Sequence, residues 1–272
     1  MIKIKNDFNL NDTITCGQIF RFEVIDNGYI LILDDRVVRL EIDNEYINIY
    51  SSNEENICSI IKSYLGLNIN YNEINNSLMK NDIKLKEIIN YCNGFKIINS
   101  PKFETIISYM ISSNNTVKNI QKSVNLMSEK YGKKIIFEGK NYFLFPNLED
   151  LKKLDIEDFK NLKLGFRSKY IYDFVSNIKE EDIAYIDSLN TEKALNYLMK
   201  YKGIGIKVAS CILLFAFKRF DVFPIDTWVK KYMKENYNLN SIKEIEDYTK
   251  NKYGNYSGIV IQYIYHSSRN KK

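Results

Sequence analysis

Apolar and polar residues alternate along the N-terminal part of the chain, a pattern typical of β-strands with one buried face. Three stretches are rich in β-branched and aromatic residues, YILIL (29–33), VVRLEI (37–42) and EYINIY (45–50), and the alternation appears at Leu40/Ile42 and Ile47/Ile49 of the last two. Pairs of turn-forming residues, Asp34-Asp35 and Asp43-Asn44, separate these stretches. The pattern predicts an antiparallel meander of strands.

From about residue 83 the spacing of apolar residues changes to that of amphipathic helices, beginning with KLKEIINYCNGF. Ser100-Pro101 predicts a helix start, with the serine as cap and the proline at the first helical position. The polar run SSNN (112–115) predicts a break between two helices, and FEGKNYFLFP (137–146) is predicted to be a loop. We therefore expect an α+β protein, with an N-terminal antiparallel sheet domain over 1–82 and an all-α region over 83–272.

Composition narrows the setting in which the protein works. The 272 residues include 39 Lys and Arg against 34 Asp and Glu, and this net charge of +5 permits an anionic partner without requiring one. The start of the chain lacks the apolar core of a secretion signal, and no run of about 18 apolar residues occurs. We expect a cytoplasmic protein without a membrane span.

Cysteine and histidine usage limits the chemistry that is available. The four cysteines are isolated, form no CxxC motif and suit a reducing compartment: Cys16, Cys58, Cys92 and Cys211. A single histidine, His266, argues against a histidine-based metal site or catalytic triad.

The stretch KGIGIKVAS (202–210) lies between two predicted helices. Glycines at 203 and 205 allow a sharp turn and a close approach of backbone amides to a ligand. The second helix is expected to begin near Ile206, and its first N–H groups lack internal partners, so they could bind an anion such as a DNA phosphate. A plain connection between two helices is the alternative.

Lys207 and Asp226 could form a reactive pair. Lys207 would lie in the first turn of the second helix, where the helix dipole disfavours positive charge and so favours the neutral, nucleophilic amine. Asp226, in VFPIDTWVKK, is predicted to cap the next helix and could also stabilise positive charge in the same cleft. A solvated surface lysine and an aspartate that only caps remain the alternatives.

These motifs resemble a known family. GIGIKVA followed by PID resembles the helix-hairpin-helix, Gly/Pro-rich loop, Asp (HhH-GPD) superfamily of DNA glycosylases, and Lys207 resembles its bifunctional members. Three stretches resemble the 8-oxoguanine DNA glycosylases within it: TCGQIFRFEV (15–24), with Phe22 where that family has Trp, SPKFETIISYMISSNNTVKNI (100–120) and LGFRSKYI (164–171). They match in order and spacing over nearly the whole chain.

The resemblance implies an enzyme that extrudes 8-oxoguanine from duplex DNA and excises it. Lys207 would attack C1′ of the sugar and leave a Schiff base, after which β-elimination nicks the strand, and Asp226 would stabilise the oxocarbenium charge. The reaction would need no cofactor and no iron–sulfur cluster. A Na⁺ or K⁺ ion could bind the hairpin through main-chain carbonyls of Met199, Tyr201 and Ile204.

The resemblance also implies a pocket for the lesion base, formed by Gly17, Cys211, Phe215, Ile261, Gln262 and Tyr265. The Gly17 carbonyl would accept the N7–H that only the oxidised base carries, while Cys211 and Tyr265 would pack on its two faces. Ile261 stands where the family has a base-reading glutamine. Gln262 is adjacent, but about 100° round the helix.

DNA contacts are implied for Asn114, Asn119, Phe166, Arg167 and the backbone of Gly203, Gly205 and Val208. Asn114 would fill the gap left by the extruded base, and Phe166 replaces the usual wedge tyrosine. Asn119 stands where an arginine reads the opposite cytosine. Losing that forked donor predicts a relaxed preference for the opposite base.

Two other readings remain open. One is an endonuclease III-like glycosylase, although those proteins usually carry a C-terminal four-cysteine cluster and this chain has no cysteine after residue 226. The other is a non-catalytic DNA-binding protein built on the hairpin. The expected partner is double-stranded DNA that contains oxidised guanine, bound by a monomer.

Overall fold

The computed structural model describes residues 2–270. Five strands form an antiparallel sheet: β1 (Ile2–Lys5), β2 (Phe22–Ile25), β3 (Gly28–Ile32), β4 (Val37–Asp43) and β5 (Tyr46–Ser51). The strand order is β1-β5-β4-β3-β2, so β2 to β5 pair consecutively and the predicted meander is confirmed. β1 extends the sheet by pairing with β5, which places Ile4 opposite Ile47.

One face of the sheet forms a hydrophobic core with two helices, α1 (Leu10–Thr15) and α2 (Ile57–Tyr64). Leu31, Leu40 and Ile47 are fully buried in this core. Burial on this face explains the period-two pattern of β4 and β5, whose Leu40, Ile47 and Ile49 lie in this core.

The other face of the sheet packs against a β-hairpin, β6 (Lys134–Phe137) and β7 (Lys140–Phe143), through Phe137 and Tyr142. The prediction of a loop over 137–146 is therefore wrong for its first part. Glu138 and Gly139 form the two-residue turn, and both have positive φ, which is the geometry that matches the twist of a tight hairpin.

The remaining chain is mainly helical. It forms α3 (Tyr71–Asn81), α4 (Leu85–Tyr91), α5 (Lys102–Ser112), α6 (Val117–Tyr131), α7 (Leu148–Lys152), α8 (Ile156–Lys160), α9 (Arg167–Asn177), α10 (Glu180–Ser188), α11 (Thr191–Leu198), α12 (Ile206–Ala216), α13 (Thr227–Tyr237), α14 (Ile242–Tyr253), a 3-10 turn (Gly254–Tyr256) and α15 (Ser257–Asn270). Every residue of α12 from Val208 to Ala216 is buried, so this helix runs through the centre of the helical core.

Local details refine the predicted boundaries. α5 ends at Ser112 and α6 begins at Val117, which confirms the break at SSNN. α5 begins one residue later than expected, because Pro101 itself occupies the cap position and Ser100 does not cap. The boundary at 82/83 stays a prediction, and α3, on its N-terminal side, packs into the helical core through Tyr71 and Leu78.

Within residues 2–270, none of the helices combines the length and the apolar character that a membrane crossing requires.

Candidate active site

The connection between α11 and α12 uses its two glycines for different reasons. Gly203 has φ +90°, and a Cβ there would lie 2.9 Å from Cβ of Tyr170, so only glycine fits without strain. Gly205 has φ −90° and ψ 176°, which any residue can adopt, and a Cβ there would meet nothing within 4 Å. Gly203 therefore shapes the turn, whereas Gly205 leaves open space in front of the first residues of α12.

The N-terminus of α12 faces this open approach. No side chain caps the helix, and the Ala209 N–H bonds back to the Gly205 carbonyl at 2.9 Å. The amides that precede Ala209, which include Val208, have no intrahelical acceptor. Unpaired amides at a helix start, together with the helix dipole, form an anion-binding arrangement.

A cavity of ≈ 240 Å³ opens beside Lys207. It gathers every residue that the sequence assigned to catalysis and to the lesion pocket: Gly17, Lys207, Cys211, Phe215, Asp226, Ile261, Gln262 and Tyr265. Three elements and one loop supply them, because Gly17 follows α1, Asp226 caps α13, and the others lie on α12 and α15. The fold thus brings together positions from both ends of the chain.

Lys207 is half-buried at one side of the cavity, one helical turn before Cys211. Its ammonium nitrogen lies 6.0 Å from the centroid of the Tyr109 ring. Burial raises the pKa of the Cys211 thiol, and the Lys207 charge lowers it only in part, so the thiol remains protonated. The amine therefore has a neutral neighbour on its own helix.

Asp226 is the N-cap of α13, as predicted, and its Oδ1 accepts the Val229 N–H at 2.9 Å. Among the described residues, no ion pair within 4.0 Å joins Asp226 to Lys207. The helix start thus holds the carboxylate in place, while the amine is not tied to it.

The loop around Gly17 is anchored by its neighbour in the GQ motif. Gln18 is 2% exposed and donates to the carbonyls of Thr13 (3.1 Å) and Lys96 (2.8 Å). Its Oε1 accepts the Ile98 N–H at 3.0 Å. The glutamine of this motif therefore fixes the pocket loop rather than facing the cavity.

Aromatic rings that the sequence did not assign form part of the cavity wall. Tyr109 stacks on Phe215 with centroids 5.4 Å apart, and Phe20 meets Tyr109 edge-on. Trp228 also lines the cavity and is 36% exposed. Its position two residues after Asp226, in the first turn of α13, was a signal for this placement.

The predicted DNA-contacting side chains differ in exposure. Phe166 is 58% exposed at the start of α9, as a wedge requires. Asn114 is exposed in the turn between α5 and α6, where its φ is +49°, and Asn119 is exposed in the first turn of α6.

Arg167 is predicted to contact DNA, but its guanidinium is directed into the protein. It is buried, and its guanidinium donates to the carbonyls of Leu164 (3.3 Å), Asn114 (2.7 Å) and Ser113 (2.7 Å). Because these bonds direct the guanidinium inward, Arg167 supports the turn that carries Asn114 instead of presenting its charge to solvent.

Two family descriptions match the chain. Residues 1–106 match the N-terminal domain of 8-oxoguanine DNA glycosylase, and residues 107–253 match the HhH-GPD superfamily base excision DNA repair protein.

Solved structures extend the match to the whole fold. The chain is 36% identical to the 8-oxoguanine glycosylase/lyase of Clostridium acetobutylicum, solved with double-stranded DNA containing cytosine opposite 8-oxoG, with a TM-score of 0.91 over 98% of this chain and 93% of that one. It is 30% identical to MBOgg1, solved with a low-affinity DNA ligand, with a TM-score of 0.93 over 99% and 95% of the two chains.

A curated relative, the probable N-glycosylase/DNA lyase of Methanothermobacter thermautotrophicus, is 28% identical over 192 residues. The match covers 61% of this chain and 61% of the relative, so the chain spans less than two thirds of that protein. Taken with the fold and the cavity, these similarities show that the chain belongs to the HhH-GPD superfamily of base excision DNA repair proteins and, within it, to the 8-oxoguanine DNA glycosylases.

Proposed function

We propose that the protein is a bifunctional glycosylase and abasic-site lyase that removes 8-oxoguanine from duplex DNA. The observation that carries this proposal is the cavity in which the Lys207 amine, the Asp226 carboxylate and Gly17 surround one space. The scissile bond of a stacked base is out of reach, so the nucleotide must first rotate out of the duplex into this cavity. The unpaired amides at the start of α12 would hold a neighbouring phosphate.

The proposed reaction begins when the Lys207 ammonium gives up a proton to solvent and becomes a neutral amine. Its nitrogen bonds to C1′ while the bond from C1′ to N9 breaks, and the departing base takes the electron pair and a proton. The negative charge of Asp226 stabilises the positive charge that develops on the sugar. Ring opening gives an imine, loss of a C2′ proton then breaks the bond from C3′ to its oxygen, and the strand is nicked on the 3′ side.

We assign selection of the base to Gly17, Cys211, Gln262 and Tyr265, which line the same cavity. The carbonyl of Gly17 would accept the N7–H of 8-oxoguanine, whereas guanine presents a lone pair there and is repelled. Cys211 and Tyr265 would cover the two faces. Ile261 can offer only packing, so we assign contact with the base edge to Gln262. Gln262 is 7% exposed, and its side-chain amide forms no hydrogen bond with any of the described residues.

The hairpin also suits a monovalent cation. Carbonyl oxygens are hard, neutral ligands, and those of Met199, Tyr201 and Ile204 follow one another through the turn after α11. A bound Na⁺ or K⁺ ion would add positive charge beside the phosphate site. The proposed chemistry itself uses no cofactor. We also propose that the protein acts on DNA as a monomer in the cytoplasm.

Borohydride trapping tests the function. We expect the wild-type protein to form a covalent adduct with duplexes that contain 8-oxoguanine or an abasic site, because reduction fixes the imine. Lys207→Gln should abolish the adduct. Lys202→Gln, an exposed lysine of the same hairpin, is the matched control and should retain it. Binding without any adduct in the wild type would instead indicate a non-catalytic hairpin protein, and an adduct in Lys207→Gln would refute the assigned nucleophile.

A further inference from the structure

Three successive main-chain carbonyls near the cavity have different environments. The Cys16 carbonyl accepts a hydrogen bond from Nη1 of Arg269 at 3.2 Å, and the Gln18 carbonyl accepts one from the Tyr109 hydroxyl at 3.2 Å. Within residues 2–270, the structure shows no donor for the Gly17 carbonyl between them. One acceptor is thus left free while the peptides on both sides are held.

Arg269 reaches this loop from the last turn of α15. A Cβ added to Gly17 would lie 3.2 Å from Nη1 of Arg269 and 3.8 Å from the Tyr265 hydroxyl, so the guanidinium lies directly against the Gly17 backbone. Burial raises the pKa of the Tyr265 hydroxyl, and the nearby Arg269 charge acts in the opposite direction. The guanidinium therefore influences both the loop and the ring that lines the cavity.

A carbonyl discriminates between a donor and a lone pair only if it cannot turn away. If the peptide between Gly17 and Gln18 could rotate, its oxygen would move off the N7 lone pair of guanine, and the repulsion that excludes guanine would be relieved. The Gly17 backbone is easily rotated, since glycine has no side chain to restrict it. Hydrogen bonds on the flanking peptides supply that restriction, and the one at Cys16 depends on Arg269.

We propose that Arg269 is a positioning residue that fixes the Gly17 carbonyl and thereby sets the selectivity for 8-oxoguanine over guanine. This inference rests on the proposed function. Arg269 does not line the cavity, so it would act on base selection from outside, through the Cys16 carbonyl.

Arg269→Met tests this, because the variant keeps an unbranched apolar side chain and loses the hydrogen-bond donors. Selectivity is the ratio of dissociation constants for guanine and 8-oxoguanine duplexes, measured in the Lys207→Gln background. Cleavage of an abasic duplex, which has no base to recognise, is measured with Lys207 present. We expect selectivity to fall by about tenfold, the scale of one charge-assisted hydrogen bond, and the cleavage rate to stay within about twofold.

Arg219→Met is the matched control. Arg219 also donates to two main-chain carbonyls, those of Asp187 (2.7 Å) and Leu189 (2.8 Å), but it lies beyond the end of α12 opposite to Lys207. Its loss should leave selectivity unchanged.

Unchanged selectivity in a folded Arg269→Met protein would overturn the inference, as would equal losses of selectivity and of abasic-site cleavage. Should Arg269→Met not fold, Arg269→Lys replaces it, and selectivity should again fall, but by less than about tenfold. Loss of folding in both variants would mark Arg269 as a fold determinant and also overturn the inference. Absence of abasic-site cleavage in the wild type would count against the proposed function itself.

Discussion

The two glycines of the hairpin allow the fold and the DNA contact to be perturbed separately. In Gly203→Ala the new methyl group must adopt φ +90° and would lie 2.9 Å from Cβ of Tyr170. A left-handed backbone costs an L-residue roughly 1–2 kcal/mol. Forcing an extra methyl into a packed site costs about 1–3 kcal/mol. We therefore expect Gly203→Ala to lower the free energy of unfolding by about 2–5 kcal/mol.

Gly205→Ala should behave in the opposite way. At φ −90°, with nothing within 4 Å of the added Cβ, the substitution is unstrained, and it reduces the entropy of the unfolded chain. Stability should rise by about 0.4–1 kcal/mol. The methyl group, however, would stand where the proposed phosphate would approach the amides of α12. Losing one charge-assisted hydrogen bond there predicts binding to 8-oxoguanine duplex that is weaker by roughly 10- to 100-fold.

Urea unfolding and fluorescence anisotropy with labelled duplex separate the two effects. The first measures the change in the unfolding free energy, and the second the change in the dissociation constant at a fixed salt concentration. Equal stability of Gly203→Ala and wild type would refute the conformational argument. Wild-type affinity in Gly205→Ala would show that no phosphate is bound at this helix start.

Two further predictions concern selectivity and pH. With Asn119 in place of a forked donor, single-turnover excision of 8-oxoguanine opposite C, A, G and T should vary by less than about tenfold, and a steep preference for C would contradict this. Burial raises the pKa of Glu104 to about 6, against the opposing effect of Arg21 at 3.2 Å. The folded state therefore holds this proton more tightly than the unfolded state, so the stabilising contribution is complete below about pH 4.5 and is lost as the pH rises through about 6. In urea unfolding, the free energy of unfolding of Glu104→Gln should rise relative to that of wild type by on the order of 1–2 kcal/mol as the pH is raised from about 4.5 to 7. A difference between the two proteins that does not change with pH would refute this prediction.

The strands and helices that sequence reasoning located best are those with one buried face. β4 and β5 alternate at Leu40/Ile42 and Ile47/Ile49 because one side of the sheet faces the core, whereas β3 is apolar throughout because both of its faces are covered. The SSNN break is visible because four polar residues interrupt an apolar stripe. The β6–β7 hairpin was missed, because its strands have four residues each and their apolar residues pack on a distant sheet. A pattern that short does not separate a strand from a loop.

The cavity residues were assigned through the resemblance of their motifs to the glycosylase family, and helix spacing added only that Lys207 and Cys211 share one face of α12. Spacing does not tell which way a long side chain turns. Arg167 follows an exposed phenylalanine, yet its guanidinium points inward to the carbonyls of Ser113 and Asn114. Arg269 was not assigned because its partner, Cys16, is 253 residues away, and no local pattern encodes that contact.

The distance along the chain between Gly17 and α15 has a consequence for how the protein is made. Lys207 leaves the ribosome before Ser257–Asn270, the helix that supplies one wall of the cavity and holds the Gly17 loop. Contacts of such long range form late, after the loop-closure entropy has been overcome. Because Ile261, Gln262 and Tyr265 line the cavity beside Lys207, the cavity can be completed only after this last helix has been synthesised and has packed against the Gly17 loop.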